Sequence, residues 1–128
     1  MEARLVILRE GLVEVVYPVE AEGTVYGRAG GYWVQINDPE VSRQHFKIVF
    51  RHGMWHMHDL GSRNGVYVNG TRMGRAVLKS GDLLKVGSQT LVFVLAAAEN
   101  LPVTGQRIEV NDAVYMQTMK QATLPPDA

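Results

Sequence analysis

Apolar and polar residues alternate with a period of two along most of the chain from Arg4 to Leu95. Leu5, Ile7 and Arg9 oppose Val6 and Leu8. Val13, Val15 and Tyr17 oppose Glu14 and Val16. Phe46, Ile48 and Phe50 oppose His45, Lys47, Val49 and Arg51, and Leu91, Phe93 and Leu95 close the series. β-Branched and aromatic residues at this period predict half-buried strands. Turn signals punctuate them at Glu10-Gly11, Asp38-Pro39, His52-Gly53, Asn69-Gly70 and Ser80-Gly81-Asp82. The pattern predicts strands over Arg4–Arg9, Leu12–Tyr17, Thr24–Gly27, Val34–Ile36, His45–Arg51, Met54–His58, Tyr67–Val68, Leu83–Val86 and Gln89–Leu95. Shorter ones are expected near Thr71–Met73 and Ala76–Val77. No segment of helical period precedes residue 98. The fold class is therefore all-β, a two-sheet β-sandwich with a C-terminal extension.

The composition shifts after Leu95. Residues 1–96 are expected to form the sandwich and 97–128 a tail or linker, partly ordered at most. One strand-like stretch, Arg107–Val110, stands out in the tail, which ends in an extended Leu124-Pro125-Pro126. A length of 128 residues suits one domain with a hydrophobic core. Lys plus Arg is 13 and Asp plus Glu is 13, so the formal charge is zero; a general nucleic-acid binder, which needs a basic excess, is not expected. With no cysteine there are no disulfides, thiol nucleophiles or thiolate metal sites. Met1-Glu2-Ala3-Arg4 does not open a signal-peptide block, and the longest apolar run, Leu91 to Ala98, is too short for a bilayer. The expectation is a cytoplasmic protein with no membrane contact.

Candidate chemistry lies in the turns. Gly27-Arg28 ends an early strand. Ser42-Arg43-Gln44-His45 follows Val41, and Asp59-Leu60-Gly61-Ser62-Arg63-Asn64-Gly65 follows the strand that carries Trp55. A guanidinium, a hydroxyl and an amide on turns suit an anion, phosphate above all, because guanidinium donors match its oxygens in a fork. A phosphothreonine carries about −1.5 to −2 charges and three strong acceptors. The carboxamide of Asn64 can donate and accept at once, and so can hold an extended peptide backbone.

The ordered set, continued by Asn69-Gly70, Gly81-Asp82 and a closing strand, resembles a forkhead-associated (FHA) domain over Arg4 to Leu95. The resemblance implies a sandwich whose loops bind phosphothreonine peptides. It implies that Arg28 contacts the phosphate, Ser42 bonds a phosphate oxygen, Arg43 adds a phosphate or peptide contact, and Asn64 bonds the peptide main chain. His45 would brace the loops, and Gly27 and Gly65 would permit their turns. Two positions depart from the pattern. Arg63 stands where many members have threonine or another small residue, and Val66 where threonine is usual. Arg63 is kept among the phosphopeptide-binding candidates, as added charge or a solvent-facing side chain. The partners implied are a phosphothreonine-containing protein and an upstream Ser/Thr kinase. No cofactor or metal and no enzymatic activity is expected.

Plainer readings stand beside these. Arg28 alone would be a solvated arginine, Ser42 could cap a turn, and Asn64-Gly65 could be a type I′ hairpin turn. A sandwich that docks a partner without phosphate is the rival function; the joint presence of Arg28, Ser42 and Asn64 weighs against it. His52, His56 and His58 invite a metal reading, but no carboxylate or cysteine completes the set, and a solvated strand face is favoured. Ser42 and His45 sit too close on one turn for a catalytic triad. Gly27-Arg28-Ala29-Gly30-Gly31 lacks the ending of a nucleotide loop. Thr104, Thr118 and Thr123 in the tail are sites whose phosphorylation would load the cleft in cis or join two molecules, against the favoured reading of a linker.

Overall fold

The computed structural model describes residues 1–30 and 34–108. Gly31 of the glycine-rich stretch, Glu109 and Val110 of the expected C-terminal strand, and Thr118 and Thr123 lie outside the described residues. The described strands are β1 (Glu2–Arg9), β2 (Leu12–Val19), β3 (Thr24–Gly27), β4 (Val34–Gln35), β5 (Phe46–Arg51) and β6 (Met54–Asp59). They continue with β7 (Val66–Val68), β8 (Thr71–Arg72), β9 (Arg75–Leu78), β10 (Leu83–Val86) and β11 (Gln89–Ala96). They form a six-stranded sheet, β2-β1-β11-β10-β7-β8, and a five-stranded sheet, β4-β3-β5-β6-β9. The expected all-β sandwich is the observed fold. Among the described residues no helix is long and apolar enough to cross a membrane.

Local chemistry sets the hairpins. Glu10-Gly11, His52-Gly53 and Asn69-Gly70 each place two successive residues at positive φ: 54° and 80°, 54° and 75°, 49° and 88°. Such pairs make the turns whose twist matches that of the flanking strands. The alternation then selects the faces. Leu5, Ile7, Tyr26, Phe46, Ile48, Met57, Leu84, Leu91 and Phe93 close the space between the sheets. Each such side chain contributes roughly 1.5–3 kcal/mol by leaving water. Tyr26 stacks on Phe46 at 4.8 Å and its hydroxyl donates to the Pro18 carbonyl at 2.7 Å, so its polar tip is satisfied.

β1 is buried on both faces. Val6 and Leu8 turn away from the inter-sheet core and meet Val13, Leu83 and Val92, with Val16, Val94 and Ile108 packed against them. The segment after β11 lies over this second cluster. Gly105 N–H donates to the Val13 carbonyl at 2.7 Å, Val13 N–H to that of Gln106 at 2.9 Å, and Ile108 N–H to that of Gly11 at 3.2 Å. Arg107, the first residue of the expected C-terminal strand, bridges Leu12.

The alternation does not hold throughout: Val13, grouped with Val15 and Tyr17, joins the second cluster past a register shift at Ile7/Leu8, and Phe50 also departs. Phe50, grouped with Phe46 and Ile48, is 41% exposed, while Val49 on the other face is 3% exposed. Phe50 pairs with Trp55 at the far end of the β5–β6 hairpin. There its ring covers Trp55 at 5.1 Å, and Trp55 in turn meets Phe93 at 5.8 Å. The outermost ring of this chain of aromatics has no second layer above it.

Candidate functional site

The site sits where β3, the β4–β5 loop and the β6–β7 loop meet. Gly27 makes the approach possible: a Cβ there would lie 2.0 Å from the Arg43 carbonyl oxygen. With hydrogen in its place, Arg28 N–H donates to the Ser42 carbonyl at 2.9 Å and Ala29 N–H to that of Arg43 at 3.2 Å. The end of β3 is thereby fastened to the loop that follows β4. The Arg28 guanidinium spends Nε on the Val41 carbonyl at 3.1 Å, which fixes its plane and leaves its outer nitrogens to face the cleft.

His45 joins the two loops. It is fully buried and accepts the Ser42 N–H on Nδ1 at 3.0 Å. A main-chain N–H can only donate, so Nδ1 carries no hydrogen, and Nε2–H donates to the Gly65 carbonyl at 2.8 Å. β5 therefore begins at Phe46 and not at His45. Across the same gap the Ser42 hydroxyl accepts the Arg63 N–H at 3.0 Å, so its own hydrogen can turn toward a ligand. Asn64 donates through Nδ2 to the Glu40 carbonyl at 2.7 Å, leaving Oδ1 and the second amide hydrogen. Asn64 does not adopt positive φ, which excludes a type I′ turn at Asn64-Gly65. The loop takes its own shape from Asp59, which accepts the Ser62 N–H at 2.8 Å, and from the Ser62 hydroxyl, which accepts the Gly65 N–H at 3.0 Å.

Arg28, Ser42, Arg43, Arg63 and Asn64, all picked out from the sequence, line one open cleft of about 500 Å³ together with Pro39, Glu40 and Val41. Three guanidinium groups face it against one lining carboxylate, Glu40, and none of the three forms an ion pair among the described residues. Such a cleft matches a compact dianion. Val66 lies beneath, fully buried in the inter-sheet core. His52, His56 and His58 are not part of the cleft, and no group of three or more metal-ligating side chains occurs among the described residues.

Sequence reasoning missed Asp38, read there as a turn residue. It is 2% exposed, and its carboxylate receives four donors. These are Glu40 N–H at 2.8 Å, Gln89 Nε2 at 2.8 Å, Ser88 N–H at 3.2 Å and the Ser88 hydroxyl. Burial alone would raise its pKa, but the hydrogen bonds outweigh it and hold Asp38 below the ordinary 3.8. Asp38 thus ties the β4–β5 loop to the β10–β11 turn. The Asp-Pro pair followed by Val-Ser was the available signal, but its partners lie some fifty residues further along the chain.

Comparison with known proteins places the geometry in context. The FHA domain family profile matches residues 24–87. An oxoglutarate dehydrogenase inhibitor of Corynebacterium glutamicum is 31% identical over 97 residues, covering 76% of this chain and 68% of the relative. The glycogen accumulation regulator GarA of Mycolicibacterium smegmatis is 37% identical over 71 residues, 56% of this chain and 45% of GarA, so the match spans under half of that relative. The solved structure of Mycobacterium tuberculosis EmbR in complex with a low affinity phosphopeptide superposes with a TM-score of 0.67 at 29% identity, covering 75% of this chain and 25% of EmbR.

Proposed function

The chain belongs to the FHA domain family, and from that premise we propose that it is a binding module that reads phosphothreonine on a protein partner in Ser/Thr kinase signalling. The observation that carries this reading is the convergence of Arg28, Ser42 and Asn64 on one cleft, flanked by Arg43 and Arg63. The outer nitrogens of Arg28 would form paired bonds to two phosphate oxygens, and the Ser42 hydroxyl would donate to an oxygen on the other side. Asn64 would hold the peptide main chain through Oδ1 and its free amide hydrogen. Arg43 and Arg63 would raise the local potential and speed encounter with the charged ester. Because the guanidinium and hydroxyl are already fixed by Val41, Arg63 N–H and His45, little ordering is left to the moment of binding.

Its role would be regulatory and not catalytic. The names of the two relatives, an inhibitor and a regulator, support that reading, as does an EmbR structure that holds a phosphopeptide. Cytoplasmic kinases would supply the mark. A phosphothreonine peptide array probed with the protein and with Arg28→Ala tests the site. The variant should lose on the order of 2–5 kcal/mol of affinity across the array. Partner complexes that survive both phosphatase and Arg28→Ala would instead support phosphate-independent docking.

A further inference from the structure

A second charged surface lies on the outer face of the five-stranded sheet. Phe46, Ile48, Met57, Ala76 and Leu78 point into the core, so the residues between them point out. The register then sets Lys47 opposite His58 and His58 opposite Arg75, a row across three strands. The next row is Val49, His56 and Val77, of which Val49 is covered beside the Gly23 turn and Val77 is open, and the next pairs Arg51 with Met54. The five strands of this sheet hold one acidic residue, Asp59, which faces the loop and accepts the Ser62 N–H. In a chain of zero net charge, this face carries three permanent cations and two imidazoles with no carboxylate among them. Neighbouring strands are about 5 Å apart, well inside the screening length of about 8 Å at physiological salt.

We propose that this face is a second docking surface, which takes a carboxylate-rich segment of a protein partner. Rows of cations alternate with exposed apolar side chains, Val77 at 48% and Met54 at 46%. That alternation suits a segment in which Asp or Glu is interspersed with apolar residues. A nucleic acid fits less well: the outward positions of these rows offer no Phe, Tyr or Trp ring as a stacking platform, only the imidazoles of His56 and His58, and the sheet face presents no helix to enter a groove.

Docking is coupled to protons. His58 lies below its ordinary pKa through burial and the positive Arg75, His56, Lys47 and Arg51 around it. From β5 the facing groups are Lys47 and Arg51, from β6 His56, and from β9 Arg75; β3 presents the uncharged Val25. Carboxylates on this face would reverse that field and favour the imidazolium. Binding then takes up protons and strengthens as pH falls. The inference is independent of the phosphothreonine reading, since no residue of these rows lines the cleft.

The test is NMR titration of the labelled protein with an Asp/Glu-Val repeat decapeptide, its Gln-Val counterpart, and a short DNA duplex. The acidic peptide should shift the amides of β5, β6 and β9, raise the pKa of His58, and bind about three- to tenfold more tightly near pH 5.5 than near pH 7.5. Lys47→Gln/Arg75→Gln should abolish these shifts while phosphopeptide affinity stays unchanged, which certifies the fold. Shifts confined to the Arg28 cleft, equal response to the Gln-Val peptide, tighter binding of DNA, or the same shifts on concentrating the protein alone would each overturn the proposal.

Discussion

The imidazole Nε2 of His45 lies 2.8 Å from the carbonyl oxygen of Gly65, while its other nitrogen holds the backbone of Ser42. One buried ring therefore fixes the spacing between the loop that carries the hydroxyl and the loop that carries the carboxamide. His45→Ala would leave the buried Gly65 carbonyl and the part-buried Ser42 N–H without partners and a cavity beside Phe46. The expected cost is about 3–5 kcal/mol, from a lost ring and two unsatisfied groups. Chemical denaturation measures it. A change below about 1 kcal/mol would mean the ring is not the brace.

Gly27→Ala separates shape from charge. The added methyl would sit 2.0 Å from a main-chain oxygen of Arg43, which no side-chain rotation relieves. Arg28 must then move, and phosphopeptide affinity should fall by at least tenfold even where the protein stays folded. Gly30→Ala is the control, because its nearest contact is an ordinary 3.5 Å to the Gln35 side chain. Calorimetry on both variants should find the loss in the first and not the second.

Asp38 makes the loop acid-sensitive. Its folded pKa is held below the ordinary 3.8, so its contribution to stability is complete above that value and disappears as pH falls through the lower folded value. Asp38→Asn should remove this component of acid sensitivity and cost about 1–3 kcal/mol at neutral pH, since an amide cannot accept all four donors. Denaturation curves from neutral pH down to pH 2 for both proteins check the sign. A variant that unfolds with the same acid profile as the parent would contradict the assignment.

The segment that follows β11 should contribute to stability and not to recognition. Truncation after Ala96 would uncover Val6, Val13 and Val92 and break three main-chain bonds to the β1–β2 hairpin. A loss of about 2–4 kcal/mol is expected, with phosphopeptide affinity unchanged in the folded fraction. Thermal unfolding and a peptide titration of the truncated chain measure the two separately.

The period of two made the strands legible, because a strand with one buried face must alternate. It failed where burial is two-sided or edge-bound. Val6 and Leu8 oppose Leu5 and Ile7 in what reads as a half-buried strand but are covered by a second cluster, and Phe50, grouped with Phe46 and Ile48, caps an aromatic edge. Arg28, Ser42 and Asn64 were legible because glycines and turn residues mark the places where a side chain leaves the sheet. Arg43 and Arg63 were ambiguous in the sequence, since an arginine on a turn faces either way until the loops are packed; both line the cleft. Asp38 was illegible because its role depends on Ser88 and Gln89, which reach it only through the closed sandwich.

The proposed switch is a phosphate ester on threonine acting through Arg28. Calorimetric titration of one phosphothreonine peptide and its unphosphorylated twin against the protein and Arg28→Ala tests it most directly. Micromolar binding is predicted for the phosphorylated peptide with the parent protein alone, and at least a thirtyfold loss in the other three combinations, about 2 kcal/mol. Equal affinity of the two peptides for the parent protein would contradict the account.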